Sequence, residues 1–334
     1  MDEAFKRVFS LFFDETPIAA RMIDTGRGDA DFRATFLVET DTGNKYVLKL
    51  AENDFTFPEK ISVWQKTAEE YRKLGYYCPR ILRDNSSSFP IVDYCGHRCV
   101  VYAEEFAPFH PVEDRFSDHF GQNETLYDSY LPDIWQMTAK VAALHLDYTE
   151  FPSGYCLFET FCPSDEIDEV LENALAWKEH ADTLPDAFEE QVGRIWQMWT
   201  DNRAELEKVY KELPTSVFQA DLNASNILVD DAGRFVGVYD FNLCGKDVFL
   251  NYLMRESNGV SGICKSLKIA AEYYRFSDIE KDAALMLYRC LKPLWYTKVE
   301  ALKKAGNDLN AIQASLDETE YALTAPIDFR EYMR

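Results

Sequence analysis

No stretch of this chain approaches the roughly 18 uninterrupted apolar residues that a membrane-crossing helix needs. Its first residues, Met1-Asp2-Glu3-Ala4-Phe5-Lys6-Arg7, carry acids at the head with no long apolar run behind them, which argues against a secretory signal. There is no CxxC pair among the 8 cysteines. Cys95 and Cys99 could face each other, but no second Cys/His pair completes a zinc site. The thiols therefore read as reduced, packed like small apolar residues, and the expected compartment is cytoplasmic. Basic residues are scarce: 35 Lys and Arg against 58 Asp and Glu give a formal charge of −23. Such a field repels nucleic acid and anionic membrane and concentrates cationic ligands, although an acidic proteome would explain it equally well. Neither repeats nor a low-complexity linker interrupt the chain.

What the chain does have is apolar mass. Hydrophobic residues make up 47% of 334 residues and aromatics 14%, enough for a large core. The length exceeds the roughly 250–300 residues at which single cores tend to split, so two lobes are expected. β-rich runs cover Phe32–Thr40 and Lys45–Leu50, joined by the turn Asp41-Thr42-Gly43-Asn44, and predict a hairpin. Upstream, Asp24 to Asp29 reads as a flexible glycine-bearing loop. A helix is expected from about Pro58 to Leu74, closed by Gly75 with Pro79 beyond. Ile91–Val92 and Arg98–Ala103 read as strands, and β character stops at Glu104-Glu105-Phe106-Ala107-Pro108.

Beyond that point helical spacing dominates. Ile134, Met137, Val141 and Leu144 form one face, and Val170, Leu171, Leu175 and Trp177 another. A long tract runs from about Ala187 to Glu212, and a helical tail carries Pro293 as an expected kink. Trp135, Tyr130, Trp196 and Trp199 read as core. His110, His119 and His180 read as surface residues, and His145 as packed near the loop described next.

One β island, Val217 to Val248, breaks the helical half. Within it Ile227–Val229 and Phe235–Tyr239 are short strands about the turn Asp230-Asp231-Ala232-Gly233. Gly233 lies midway between Asn226 and Asp240, so folding the hairpin carries both side chains to its open end. Asp221 sits in the loop feeding the first strand. An aspartate and an asparagine at one hairpin mouth suit Mg²⁺, which takes one or two carboxylates plus amide, water and phosphate oxygens. A further aspartate nearby can accept a proton from an attacking hydroxyl. Taken singly these residues are ordinary turn formers; together, after an upstream strand lysine, they read as a catalytic constellation.

Gln219-Ala220-Asp221, Asn226 and Asp240-Phe241 together resemble the loop of the aminoglycoside phosphotransferase and choline kinase superfamily, distant relatives of protein kinases. By that resemblance Asp221 is the catalytic base or hydroxyl-orienting residue, and Asn226 and Asp240 are the magnesium ligands. Lys49 is similar to the strand lysine that holds the α- and β-phosphates. The loop around Gly26 and Gly28 is similar to the nucleotide-covering loop, and the strand end at Glu104–Phe106 to the hinge that reads adenine through its backbone. Leu144-His145 and Asp247 also match in order. The resemblance spans about residues 20 to 250.

It departs from the family at three places. Gln219 stands where the family has histidine, and Asn242 where a glycine is usual after Asp-Phe. The helix acid that pairs with the lysine cannot be placed: its position falls near Trp64, with Glu59, Glu69 and Glu70 out of phase.

The resemblance implies a two-lobed, protein-kinase-like α+β fold: a small β-rich N-lobe over residues 1–105 and a larger, mainly helical C-lobe over 106–334. It implies a phosphotransferase that uses Mg²⁺ and moves the γ-phosphate of ATP or GTP onto a hydroxyl of a small acceptor. Aminoglycosides, amino alcohols and related metabolites are the acceptor classes, and the charge leans toward a cationic one. The runner-up is a nucleotide-binding pseudokinase that signals or scaffolds; a true protein kinase fits less well, because little chain follows Asp240 before the next helix. Oligomeric state is not legible in the sequence.

Overall fold

The computed structural model describes residues 3–26, 28, 30–115 and 127–334. His119 lies outside the described residues, as do Arg27 and Asp29 of the predicted covering loop. No helix among the described residues is long and apolar enough to cross a membrane.

The N-terminal part is built on an antiparallel sheet of β1 (Pro17–Asp24), β2 (Phe32–Thr40), β3 (Lys45–Glu52), β4 (Ile81–Leu82), β5 (Ile91–Tyr94) and β6 (His97–Glu105). Their order is β1-β2-β3-β6-β4, with β5 also pairing β6. The predicted hairpin is β2–β3, whose side chains alternate buried and half-buried as a strand with one covered face requires. β6 is buried on both faces because helices lie on either side of it. α1 (Glu3–Phe9) covers the outer face, where Phe5 and Phe9 join Phe36, Val101 and Tyr94 in a separate apolar cluster. α2 (Pro58–Lys73) covers the inner face with Ile61, Trp64, Ala68 and Tyr71. Pro58 starts it where the missing N–H costs nothing, and Gly75, at φ 91°, follows its end.

The remainder is mainly helical: α3 (Leu131–Ala142), α4 (Glu169–Ala181), α5 (Glu189–Tyr210), α6 (Phe249–Arg255), α7 (Gly259–Ala270), α8 (Asp278–Leu291), α9 (Tyr296–Ala305) and α10 (Leu309–Thr324). One apolar cluster runs without a break from α2 through these helices, so the parts share a core on the inner face of the sheet. Pro293 does not kink a helix. α8 stops at Leu291 and α9 starts at Tyr296, because proline offers no N–H to the preceding turn and here occupies the connection. Leu144, predicted on a helix face, lies beyond the end of α3 and is exposed.

The β island is four short strands: β8 (Thr215–Phe218), β9 (Ile227–Val229), β10 (Phe235–Val238) and β11 (Gly245–Val248). β9 pairs β10 as predicted and also takes β7 (His110–Pro111), while β8 pairs β11. Tyr77, just after α2, runs alongside β10, donating to Val236 O at 2.8 Å and accepting from Val238 N at 3.0 Å. A Cβ on Gly237 would lie 1.9 Å from Tyr77 O, so only glycine lets the two backbones meet. This brace fixes the hairpin against the sheet side of the molecule.

Candidate functional site

The hairpin does bring Asn226 and Asp240 to one end. Ile227 pairs Val238, and Tyr239 N donates to Asn226 O at 3.1 Å, which leaves Asp240 as the next residue beyond the ladder. Asn226 is buried and donates its amide N–H to the Asp221 carbonyl at 3.0 Å, tying the two loop residues together. Its Oδ1 takes a 3.4 Å contact from Ser225 Oγ. Asn223 donates to Asp221 Oδ1 at 2.7 Å, orienting that carboxylate.

Gln219 is fully buried and acts as a staple. Its Oε1 accepts from Asp221 N at 2.7 Å, while Nε2 faces the carbonyls of Asp221, Tyr239 and Asp240 at 3.0, 2.9 and 2.7 Å. One side chain thus joins the Asp221 loop to the Asp240 turn without a titratable group. From behind, Gln219 N donates to Tyr71 OH of α2 and Ala220 N to Tyr252 OH of α6. Ala220 and Asp240 both hold left-handed backbone, at φ 64° and 58°. For alanine this is strained, and strain of this kind persists where the surroundings over-determine the conformation.

Lys49 of β3 reaches across to this end of the hairpin. Its Nζ lies 3.3 Å from Asp240 Oδ1 and 3.1 Å from Glu104 Oε1. Burial alone would lower the lysine, but the carboxylates of Asp240 and Glu104 outweigh it and hold the ammonium well above its usual value. Burial pushes Glu104 upward, against the pull of Lys49. The carboxylates beside Lys49 thus come from strand β6 and the hairpin mouth, and none from α2. Trp64 occupies the helix position, edge-on to Tyr102 with ring centroids 5.8 Å apart.

The donor set fits a small hard cation: one amide oxygen and one carboxylate at one mouth suit Mg²⁺. No group of three or more His, Cys, Asp or Glu side chains among the described residues is arranged to hold a metal. Most of a cation's ligands here would come from phosphate and water.

Register places Lys49, Val47 and Lys45 on one face of the sheet, with Leu37 and Glu39 opposite them and Arg21 and Ala19 beyond. That face lines a cavity of about 310 Å³ with Phe106, whose ring receives Lys45 Nζ at 5.8 Å. Phe106, at the end of the strand where the resemblance placed the hinge, lines this cavity, while the Glu104 side chain turns toward Lys49. Gly26 and Gly28 lie in the β1–β2 connection, at the other end of those strands from this cavity. A Cβ on Gly26 would lie 2.7 Å from Asp31 O, and Gly28 has φ 112°.

Residues that sequence reasoning missed gather around Asp221. Glu256, just past α6, is raised to about 7 by burial and by the Asp221 charge, against Lys292, Arg255 and a hydrogen bond with Tyr155. Tyr127 donates to Leu222 O at 2.6 Å. A cavity of about 470 Å³ that reaches Leu243, shortly past Asp240, is lined also by Phe161, Glu159, Asp165, Glu166 and Glu172. Nothing local in sequence marks these residues, because each arrives from a different element. His145 is exposed with its ring beside Tyr274, not against the Asp221 loop. Asp247 is buried and accepts from Ser153 Oγ, Val248 N and Asn251 Nδ2, fixing β11 and α6.

The chain resembles solved structures along nearly its whole length. A microcompartment-associated aminopropanol kinase shares 16% identity, covering 96% of this chain and 94% of its own, at a TM-score of 0.53. An aminoglycoside phosphotransferase from Alicyclobacillus acidocaldarius shares 13% over 97% and 95%, at 0.51. An amicoumacin kinase, solved with AMP-PNP, Ca²⁺ and Ami, shares 12% over 99% and 97%, at 0.51. At these identities they show the fold: two-lobed, kinase-like and α+β. No curated protein matches the sequence. The profile of the phosphotransferase enzyme family matches residues 25–250, the span that carries Lys49, Asp221, Asn226 and Asp240, and the chain belongs to that family.

Proposed function

We propose that this chain transfers the γ-phosphate of a nucleoside triphosphate, ATP or GTP, to a hydroxyl of a small, amine-bearing acceptor. The observation that carries the reading is the 3.3 Å contact between Lys49 and Asp240, residues 191 positions apart, at the hairpin mouth that also holds Asn226. Residues 1–105 would cover the nucleotide and 106–334 supply the transfer loop and acceptor pocket. The purine lies in the cavity between Leu37, Lys45 and Phe106. Lys49 neutralises phosphate charge. Asn226 and Asp240 would hold Mg²⁺, which would offset the remaining negative charge on the phosphates. Asp221, oriented by Asn223, accepts the hydroxyl proton.

The amine preference rests on the carboxylates around the acceptor end, Glu256 first, and on the names of two similar structures, which act on aminopropanol and aminoglycosides. Catalysis is favoured over a pseudokinase because Gln219 makes the loop bonds and Lys49 has acidic partners. Asp221→Asn tests the assignment. It should abolish ADP release from Mg·ATP with acceptor while leaving AMP-PNP affinity within about threefold, since it removes a group used only in transfer. Normal turnover by that variant would refute the role of Asp221.

A further inference from the structure

A phosphate-holding lysine buried in a cleft needs an anion to keep it extended and charged, and α2 provides none here. Its inward face is Lys60, Trp64, Thr67 and Tyr71. Its acids point elsewhere: Glu59 is exposed, Glu69 lies 3.9 Å from Arg72, and Glu70 pairs Lys73 at 2.9 Å. The anion comes instead from the neighbouring strand. Tyr102 of β6 lies opposite Lys49 and Glu104 opposite Val47, so Glu104 is the diagonal neighbour of Lys49 on the cleft face. Diagonal pairs sit within reach of a long side chain, and the observed separation is 3.1 Å with 8% of the Glu104 side chain exposed.

We propose that Glu104 is the positioning residue for Lys49, taking the place of a helix acid, so that the sheet alone sets the phosphate-binding ammonium. The assignment rests on the phosphotransferase reading above and extends it. Lys49 and Glu104 sit on hydrogen-bonded neighbours, β3 and β6, so their separation is fixed by the ladder. No movement of α2 makes or breaks it. Lys49 is shared in this structure between Glu104 and Asp240. When Asp240 engages a cation, Glu104 remains to hold the ammonium in the cleft rather than over the metal ligand. Trp64 is then free to serve packing, edge-on to Tyr102.

The test is a double-variant cycle of Glu104→Gln and Lys49→Met, read as ADP release from Mg·ATP with ethanolamine or 1-amino-2-propanol, or with water where neither serves. Mg·AMP-PNP affinity and melting curves run in parallel. Glu104→Gln should lower kcat about tenfold or more with acceptor KM and melting temperature little changed, since the partner matters in transfer rather than in acceptor binding. Glu104→Asp should recover part of the loss. The double variant should be no slower than Lys49→Met alone, the non-additivity expected of one working unit. Losses that add, or a Glu104→Gln enzyme as fast as the parent, would overturn the proposal while leaving the phosphotransferase reading intact. A parent chain that binds Mg·AMP-PNP yet releases no ADP, or binds none, would overturn both.

Discussion

Asp221 and Glu256 lie close enough that the charge of one acts on the other. Asn223 holds Asp221 through a short hydrogen bond, whereas Glu256 is raised to about 7 by burial and by the Asp221 charge. Below that value Glu256 is neutral, and above it the site carries a second negative charge. An ammonium group on the acceptor should therefore bind more tightly as pH rises through about 7, seen as a falling acceptor KM. Glu256→Gln should flatten that profile; an unchanged profile would remove Glu256 from the acceptor site. The stability linkage has the same origin. A raised carboxyl contributes stability below the ordinary glutamate value and loses it as pH rises through about 7, so the parent should lose more stability than Glu256→Gln across that window. The sequence made Asp221, Asn226 and Asp240 legible because one tight turn relates them. It could not disclose Glu104 as the partner of Lys49, since that depends on which face of β6 meets β3. Nor could it disclose Glu256, which reaches Asp221 only after α6 has packed.

Among the elements, α2 connects most of the site: Tyr71 meets the Gln219 backbone, Tyr77 beyond it braces β10, and Lys60 enters the segment after Phe151. Lys60 is 2% exposed, its ammonium over the Phe161 ring at 3.4 Å and its hydrogen bond to Phe161 O a long 3.5 Å. Burial depresses it to about 8. A lysine lowered in the fold costs stability while charged, and that cost fades as pH rises from about 8 toward its unfolded value. Lys60→Met should thus be as stable as the parent or more so by about 1 kcal/mol near pH 7, with the gap closing toward pH 10, read from denaturant melts. A variant much less stable than the parent at pH 7 would mean the cation makes a net favourable contribution. Most elements with a covered face were legible, as in β2, β3, α2 and the β9–β10 hairpin. β1 was not, because almost every residue of Pro17–Asp24 is exposed and no alternation marks it. α1 was missed for another reason: its short run shows its face only against Phe36 and Tyr94.

At the scale of the whole molecule, a charge of −23 and a carboxylate-lined cavity beside the hairpin act together. On the proposed reading, long-range potential would draw cations, and the burial-raised Glu256 near Asp221 would select among them. The two-lobed architecture was readable from the order of β-rich and helical stretches. The cavity proposed for the acceptor was not, because its walls come from the segment after α3, from α4 and from the turn between β10 and β11. The phosphotransferase account is tested most directly by ³¹P NMR of the products from Mg·ATP and the parent chain, with ethanolamine, 1-amino-2-propanol, an aminoglycoside, a neutral sugar and a hydroxy amino acid offered separately. The account predicts a new phosphate monoester resonance with at least one amine-bearing alcohol, matched by ADP and absent in Asp221→Asn. Bound nucleotide with no phosphomonoester from any acceptor, or a product formed equally by Asp221→Asn, would contradict it.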